Sequence, residues 1–68
     1  MKQLKKFRIK NGLTCQTMAD CLQISKSYYW QIENNHRKLS YEMAMKIANI
    51  FKTTPDNIFY NEFKKQTK

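Results

Sequence analysis

Sixty-eight residues allow one domain and little more, and a chain of this size buries only about 60% of the surface its unfolded form exposes, which argues against an elaborate active-site cleft. Hydrophobic residues at 41% and aromatics at 13% are enough for one compact core and exclude a disordered chain. Thirteen Lys and Arg stand against five Asp and Glu, and the net charge of +8 makes a field that attracts polyanions, either nucleic acid or an anionic membrane surface.

The sequence opens on Lys2, Lys5, Lys6, Arg8 and Lys10 with no apolar signal-peptide core behind them, and no run of about 18 apolar residues follows. The expectation is a cytoplasmic protein without a membrane partner. One Gly and one Pro interrupt the chain, and β-branched residues are scattered rather than alternating, so the elements are read as helices joined by short turns.

The first helix spans roughly Lys2 to Lys10, with Leu4, Phe7 and Ile9 as its apolar residues, and stops at Asn11-Gly12, where Gly12 can take the left-handed conformation. Thr14 caps a second helix with Met18, Ala19 and Leu22 inward, which ends near Leu22 at the turn Gln23-Ile24-Ser25. Ser25 caps a third helix running to about Glu33, with Tyr29 and Ile32 facing the core. Asn34-Asn35-His36-Arg37-Lys38 reads as a basic loop. Ser40 caps the fourth helix, whose Ala44, Ile47, Ala48 and Phe51 form the clearest stripe. Thr54-Pro55-Asp56 starts a short fifth helix carrying Ile58 and Phe59. From Asn61 the chain turns polar and basic, so the division expected is a domain over residues 1–60 and a frayed basic tail over 61–68.

Cys15 and Cys21 lie six residues apart in one helix, about 9 Å along its axis, too far for a bridge. With one distant His they also fail zinc spacing. They are read as ordinary thiols, Cys21 the more buried. His36, alone in its loop, is read as solvated or beside a phosphate, and Met18, Met43 and Met45 as packing residues.

Residues 14–33 hold two short helices separated by about three residues, with the small Ala19 inside the first. A steep helix crossing needs such a turn, and it sets the outward side chains of the second helix where they can enter a major groove.

The ordered set Gly12-Leu13-Thr14, Met18-Ala19, Leu22, Ile24-Ser25-Lys26-Ser27, Ile32-Glu33, Ser40 and Lys46-Ile47-Ala48 resembles the phage repressor and Cro-like (XRE) family of helix-turn-helix proteins, over about Leu4 to Phe59. The resemblance implies an all-α fold, a five-helix lambda-repressor-like DNA-binding domain. By position it implies that Lys26, Ser27, Tyr28 and Gln31 face base edges: Lys26 suits guanine, Gln31 adenine, Ser27 either, and the Tyr28 ring a thymine methyl. Thr14, Cys15 and Gln16 would meet phosphate at the start of the second helix, with Ser25, Asn34, Asn35, Arg37 and Lys38 adding phosphate contacts. The positions of Arg8 and Glu33 imply a structural salt bridge. The sequence departs from the family pattern with Cys15 in place of Gln, and with Gln23 and Asn35 in place of Gly; Asn tolerates the left-handed conformation better than most residues.

The function expected is a sequence-specific transcriptional regulator, a repressor or Cro-like protein of phage or mobile-element type. Its partner would be double-stranded DNA with a near-palindromic operator, bound as a homodimer. Ile58, Phe59, Tyr60 and Phe63 are dimer candidates that could equally close the core. No catalytic constellation, metal, cofactor or small-molecule ligand is expected. Trp30 is read as a partial shelf against the first or fourth helix, or as a contact with DNA backbone or a protein. The last reading leads to the alternative, a protein-interaction module such as an antitoxin or regulator partner built on the aromatic face around Trp30.

Overall fold

The computed structural model describes the backbone of residues 2–66 and the side chains of residues 3–60. Five α-helices occupy that span: α1 (Lys2–Lys10), α2 (Cys15–Leu22), α3 (Lys26–Glu33), α4 (Tyr41–Ile50) and α5 (Pro55–Gln66). No strand occurs among the described residues. The fold is all-helical and of the lambda-repressor-like type. The helix starts follow local chemistry. The hydroxyls of Thr14, Ser25 and Ser40 accept from the backbone N–H groups of Thr17, Tyr28 and Met43 at 3.1, 3.0 and 3.1 Å, satisfying donors that the first helical turn leaves free. Pro55 begins α5, with Asp56 in the first turn near the positive end of the helix dipole.

The helix ends share one device. Gly12, Gln23, Asn35 and Lys52 all adopt positive φ, at 68°, 59°, 62° and 54°. In each case the next residue donates its N–H to the carbonyl five residues back: Leu13 to Arg8, Ile24 to Ala19, His36 to Gln31 and Thr53 to Ala48, at 2.7–3.0 Å. These are Schellman closures, in which a left-handed residue satisfies the last carbonyls of the helix. Glycine does this without a Cβ penalty; an L-residue costs roughly 1–2 kcal/mol. Gln23 is exposed, so Gln23→Gly relieves that cost with little packing lost. Glycine's greater unfolded-state entropy offsets part of the gain, leaving a rise in stability of about 0.5–1 kcal/mol and in the thermal midpoint of several degrees. Thermal unfolding followed by circular dichroism checks this; an unchanged or lower midpoint counts against it.

The core is formed by Leu4, Met18, Ala19, Leu22, Tyr29, Ile32, Leu39, Ala44, Ile47, Ala48, Ile58 and Phe59, all buried. α2 packs most extensively on α3, while α5 closes against α1 and α4. Phe7 and Phe51 meet at a ring-centroid distance of 5.6 Å and lie half-buried at the core edge. Leu39, between the basic loop and the Ser40 cap, anchors that loop with 6% exposure.

Several expectations are corrected by helix geometry. Ile9 is 58% exposed, because at about 100° per residue it falls on the side of α1 opposite Leu4 and Phe7. The inward stripe of α2 is Cys15, Met18, Ala19 and Leu22, so Cys15 is the half-buried thiol and Cys21 the exposed one. Met45 lies on the outer side of α4 at 46% exposure, not in the packing. α5 continues to Gln66, so no helix end separates residues 1–60 from a tail beginning at Asn61. Ile58 and Phe59, named as dimer candidates, are core residues at 4% and 0% exposure. Burial within one chain leaves them no surface for a partner. Tyr60 is 58% exposed, and the Phe63 side chain lies outside the described residues.

Candidate nucleic-acid interface

The outward face of α3 is assembled from its first two turns. Ser25 ends the turn from α2 and caps α3 through its Oγ. Lys26 and Ser27 follow exposed, Tyr28 next to them is half-buried, and Gln31 is half-buried one turn further along. The opposite face of the same helix buries Tyr29, Ile32 and Glu33. One short helix thus has a fixed inner side and an outer side that is mostly polar, with Trp30 exposed beside it.

What fixes the inner side is an ion pair with α1. Arg8 Nε donates to Glu33 Oε2 at 2.8 Å and Nη2 to Oε1 at 3.0 Å, a bidentate pair with side chains 13% and 4% exposed. Arg8 Nη1 also donates to the Leu13 carbonyl at 3.0 Å, and the Tyr29 hydroxyl donates to Glu33 Oε2 at 2.8 Å. Burial pushes the Glu33 carboxyl up, but the hydrogen bonds from Arg8 and Tyr29 outweigh it and hold the group below its ordinary value. The bond to Glu33 raises the Arg8 guanidinium. Burial first, then the bond to Glu33, pushes the Tyr29 phenol far above its ordinary value. Both α1 and the turn before α2 are thereby tied to the end of α3.

The residues expected at phosphate lie along two exposed edges. Thr14 accepts from Thr17 N–H, and the two threonine hydroxyls lie 3.0 Å apart. Gln16 Nε2 donates to Asp20 Oδ1 at 2.9 Å, so an acidic neighbour shares its amide. The thiol of Cys15 turns toward the core, which leaves its backbone N–H, at the first position of α2, as the group that can face an anion. Beyond α3, Asn34 Nδ2 donates to the Trp30 carbonyl at 2.9 Å, closing the helix end. Asn35, Arg37 and Lys38 are exposed.

Three contacts here have no signature in the sequence. Arg37 Nε donates to Gln31 Oε1 at 3.2 Å, and its guanidinium carbon lies 4.6 Å from the Tyr28 ring centroid, within cation–π range. Trp30 is 48% exposed and stacks on His36, with centroids 5.3 Å apart and planes at 25°. One helical step beyond the inward Tyr29, its ring contact is with the loop after α3. Thr17 was missed as the partner of Thr14, though its spacing of three residues is the ordinary signal for such a pair. Asp20 was missed as well, four residues from Gln16.

No described helix is long and apolar enough to cross a membrane. A helix-turn-helix domain family model matches residues 1–62. The chain is 36% identical over 67 residues to the HTH-type transcriptional regulator AnsR of Bacillus subtilis (strain 168), covering 98% of this chain and 58% of that protein. It is 43% identical over 47 residues to the uncharacterized HTH-type transcriptional regulator YqaF of the same strain, covering 69% of this chain and 62% of that one. A propionyl-CoA carboxylase regulator of Cereibacter sphaeroides is 39% identical over 49 residues, 72% of this chain but 11% of that protein. The chain thus spans about 60% of the length of the two Bacillus relatives. No solved structure matches it. On the five-helix fold, the exposed outer face of α3 and the match across residues 1–62, the chain belongs to the repressor and Cro-like (XRE) family of helix-turn-helix DNA-binding proteins.

Proposed function

We propose that this chain is a non-enzymatic, cytoplasmic transcriptional regulator of repressor or Cro-like type, from a phage or mobile element, that reads double-stranded DNA with α3 in the major groove. The observation that carries the reading is the two-sided α3. Lys26 and Ser27 are exposed and Gln31 half-buried on its outer side, with Tyr28 at the edge where the helix meets the core, while the Arg8–Glu33 pair holds its inner end. A helix anchored on one side, with polar side chains near its N-terminus that can reach base edges, is what major-groove recognition requires. Thr14, Cys15, Gln16, Ser25, Asn34, Asn35 and Lys38 would take the flanking phosphates and set the register of the helix in the groove. A single copy covers limited DNA, so a homodimer on half-sites one helical turn apart is part of the proposal. Tyr60 is the described surface residue offered to its interface. Sedimentation showing one copy per operator duplex would remove the dimer.

Salt dependence separates the phosphate contacts from the base contacts. Each cation meeting a phosphate adds about −0.9 to the slope of log K against log salt. Lys38→Ala is therefore expected to weaken binding alike on every sequence and to flatten that slope by about one. Fluorescence anisotropy at several salt concentrations reads both effects; a loss confined to one sequence would assign Lys38 to a base instead.

The exposed Trp30–His36 stack supports a second reading, a protein-interaction module. Under that reading Trp30→Ala abolishes partner binding, and substitutions at Lys26 and Gln31 leave DNA affinity unchanged.

A further inference from the structure

The basic loop after α3 folds back over the outer face of the helix it follows. The left-handed turn at Asn35 reverses the chain, and two residues later Arg37 reaches Gln31 and Tyr28 at once. A guanidinium carries donors and no acceptor, so the oxygen end of the Gln31 amide is the end that faces Arg37. The Tyr28 ring beneath the guanidinium restrains it through a cation–π contact. Ring, guanidinium and amide form one unit, and two of its three members stand among the residues proposed to face base edges.

We infer that Arg37 is a specificity-determining positioning residue: by holding Gln31 through its oxygen, it makes Gln31 read DNA as a hydrogen-bond donor. The inference rests on the base-reading role proposed above. An unrestrained glutamine meets adenine with both ends of its amide, accepting from the N6 amino group and donating to N7. With its oxygen bonded to Arg37, Gln31 is held by that end and keeps its two amide hydrogens to donate. Guanine presents two acceptors, N7 and O6, in the major groove, and is the better partner for an amide whose oxygen is already held by Arg37 and whose two hydrogens remain to donate. The charge of Arg37 alone would not have this effect, because a cation at a phosphate changes affinity without changing base preference.

Selection of bound duplexes from random DNA tests the inference with wild type, Gln31→Ala, Arg37→Ala and Arg37→Lys, each checked for helical content by circular dichroism. Arg37 is exposed, so its variants keep the fold. The base pair whose preference disappears in Gln31→Ala is the one Gln31 reads. There the wild type is expected to enrich guanine over adenine about tenfold, the scale of one good base contact. Both Arg37 variants move that position toward adenine and leave the others as they were. Arg37→Lys keeps the charge, so its salt slope stays that of the wild type while its preference shifts. Adenine preferred by the wild type overturns the inference. So do Arg37 variants that bind every sequence more weakly with an unchanged preference, which would leave Arg37 a phosphate contact. A wild type that enriches no sequence contradicts base reading by α3 itself, and the inference falls with it.

Discussion

Arg8→Ala is expected to lower the unfolding free energy by about 3 kcal/mol, the cost of leaving a buried carboxylate without its cation. Glu33 is 4% exposed and receives two hydrogen bonds from Arg8 and one from Tyr29. A chain of this length has roughly 3–10 kcal/mol of stability in total, so the variant loses a large share and is partly unfolded at physiological temperature. Urea unfolding at neutral pH measures the loss. The double replacement Arg8→Met with Glu33→Leu removes both charges and is expected to cost far less than Arg8→Ala alone, because no orphaned charge remains. Equal losses in the two variants would mean that packing around Arg8, not charge pairing, holds α1 to α3.

The same pair gives a pH dependence with a definite sign. The folded-state Glu33 carboxyl is held below its ordinary value, so the unfolded chain binds the proton more readily. The stabilisation is complete above the unfolded value, about 4.3, and is lost as pH falls through the lower folded value. Without Arg8 that dependence weakens, since burial then opposes the charged form. The gap between wild type and Arg8→Ala therefore narrows from pH 6 toward pH 3.

The second large effect is on recognition. Lys26→Ala with Gln31→Ala is expected to remove about 10²–10³-fold of discrimination between the preferred duplex and a scrambled one, at about 1–3 kcal/mol for each base contact. Both residues lie on the outer face of α3 and neither belongs to the buried core, so helical content and thermal midpoint change little. Affinity for scrambled DNA falls by only the phosphate share of Lys26. Anisotropy titrations of both variants and both duplexes give the ratio directly. A ratio unchanged by the double variant would remove base reading from α3.

Much of this architecture was legible because it is written locally. Thr14, Ser25 and Ser40 announce helix starts through a hydroxyl that reaches its own first turn. Ala44, Ile47 and Ala48 announce the inner face of α4 through spacing alone. The helix ends were less legible. Gly12 marks its own left-handed turn, but Lys52 closes α4 with the same geometry in a residue type that does not advertise it. There the turn is closed by the bond from the Thr53 N–H to the Ala48 carbonyl, against the local preference of lysine. The short α1 misled at Ile9, since three apolar residues in nine are too few to fix a stripe. The Arg8–Glu33 contact, 25 residues apart, followed from family resemblance and not from spacing. Arg37 could not be placed on Gln31 and Tyr28 from sequence at all. That contact depends on the chain reversal at Asn35, a tertiary fact carried by one φ angle.

Selection of bound sites from random duplex DNA by the wild-type chain, with Lys26→Ala/Gln31→Ala in parallel, tests base reading by α3 most directly. The expected result is a near-palindromic pattern from the wild type, with half-sites about 10 base pairs apart centre to centre, and loss of that pattern in the double variant. A wild-type pool no richer in any sequence than the starting library, or a pattern that survives the double variant, would contradict it.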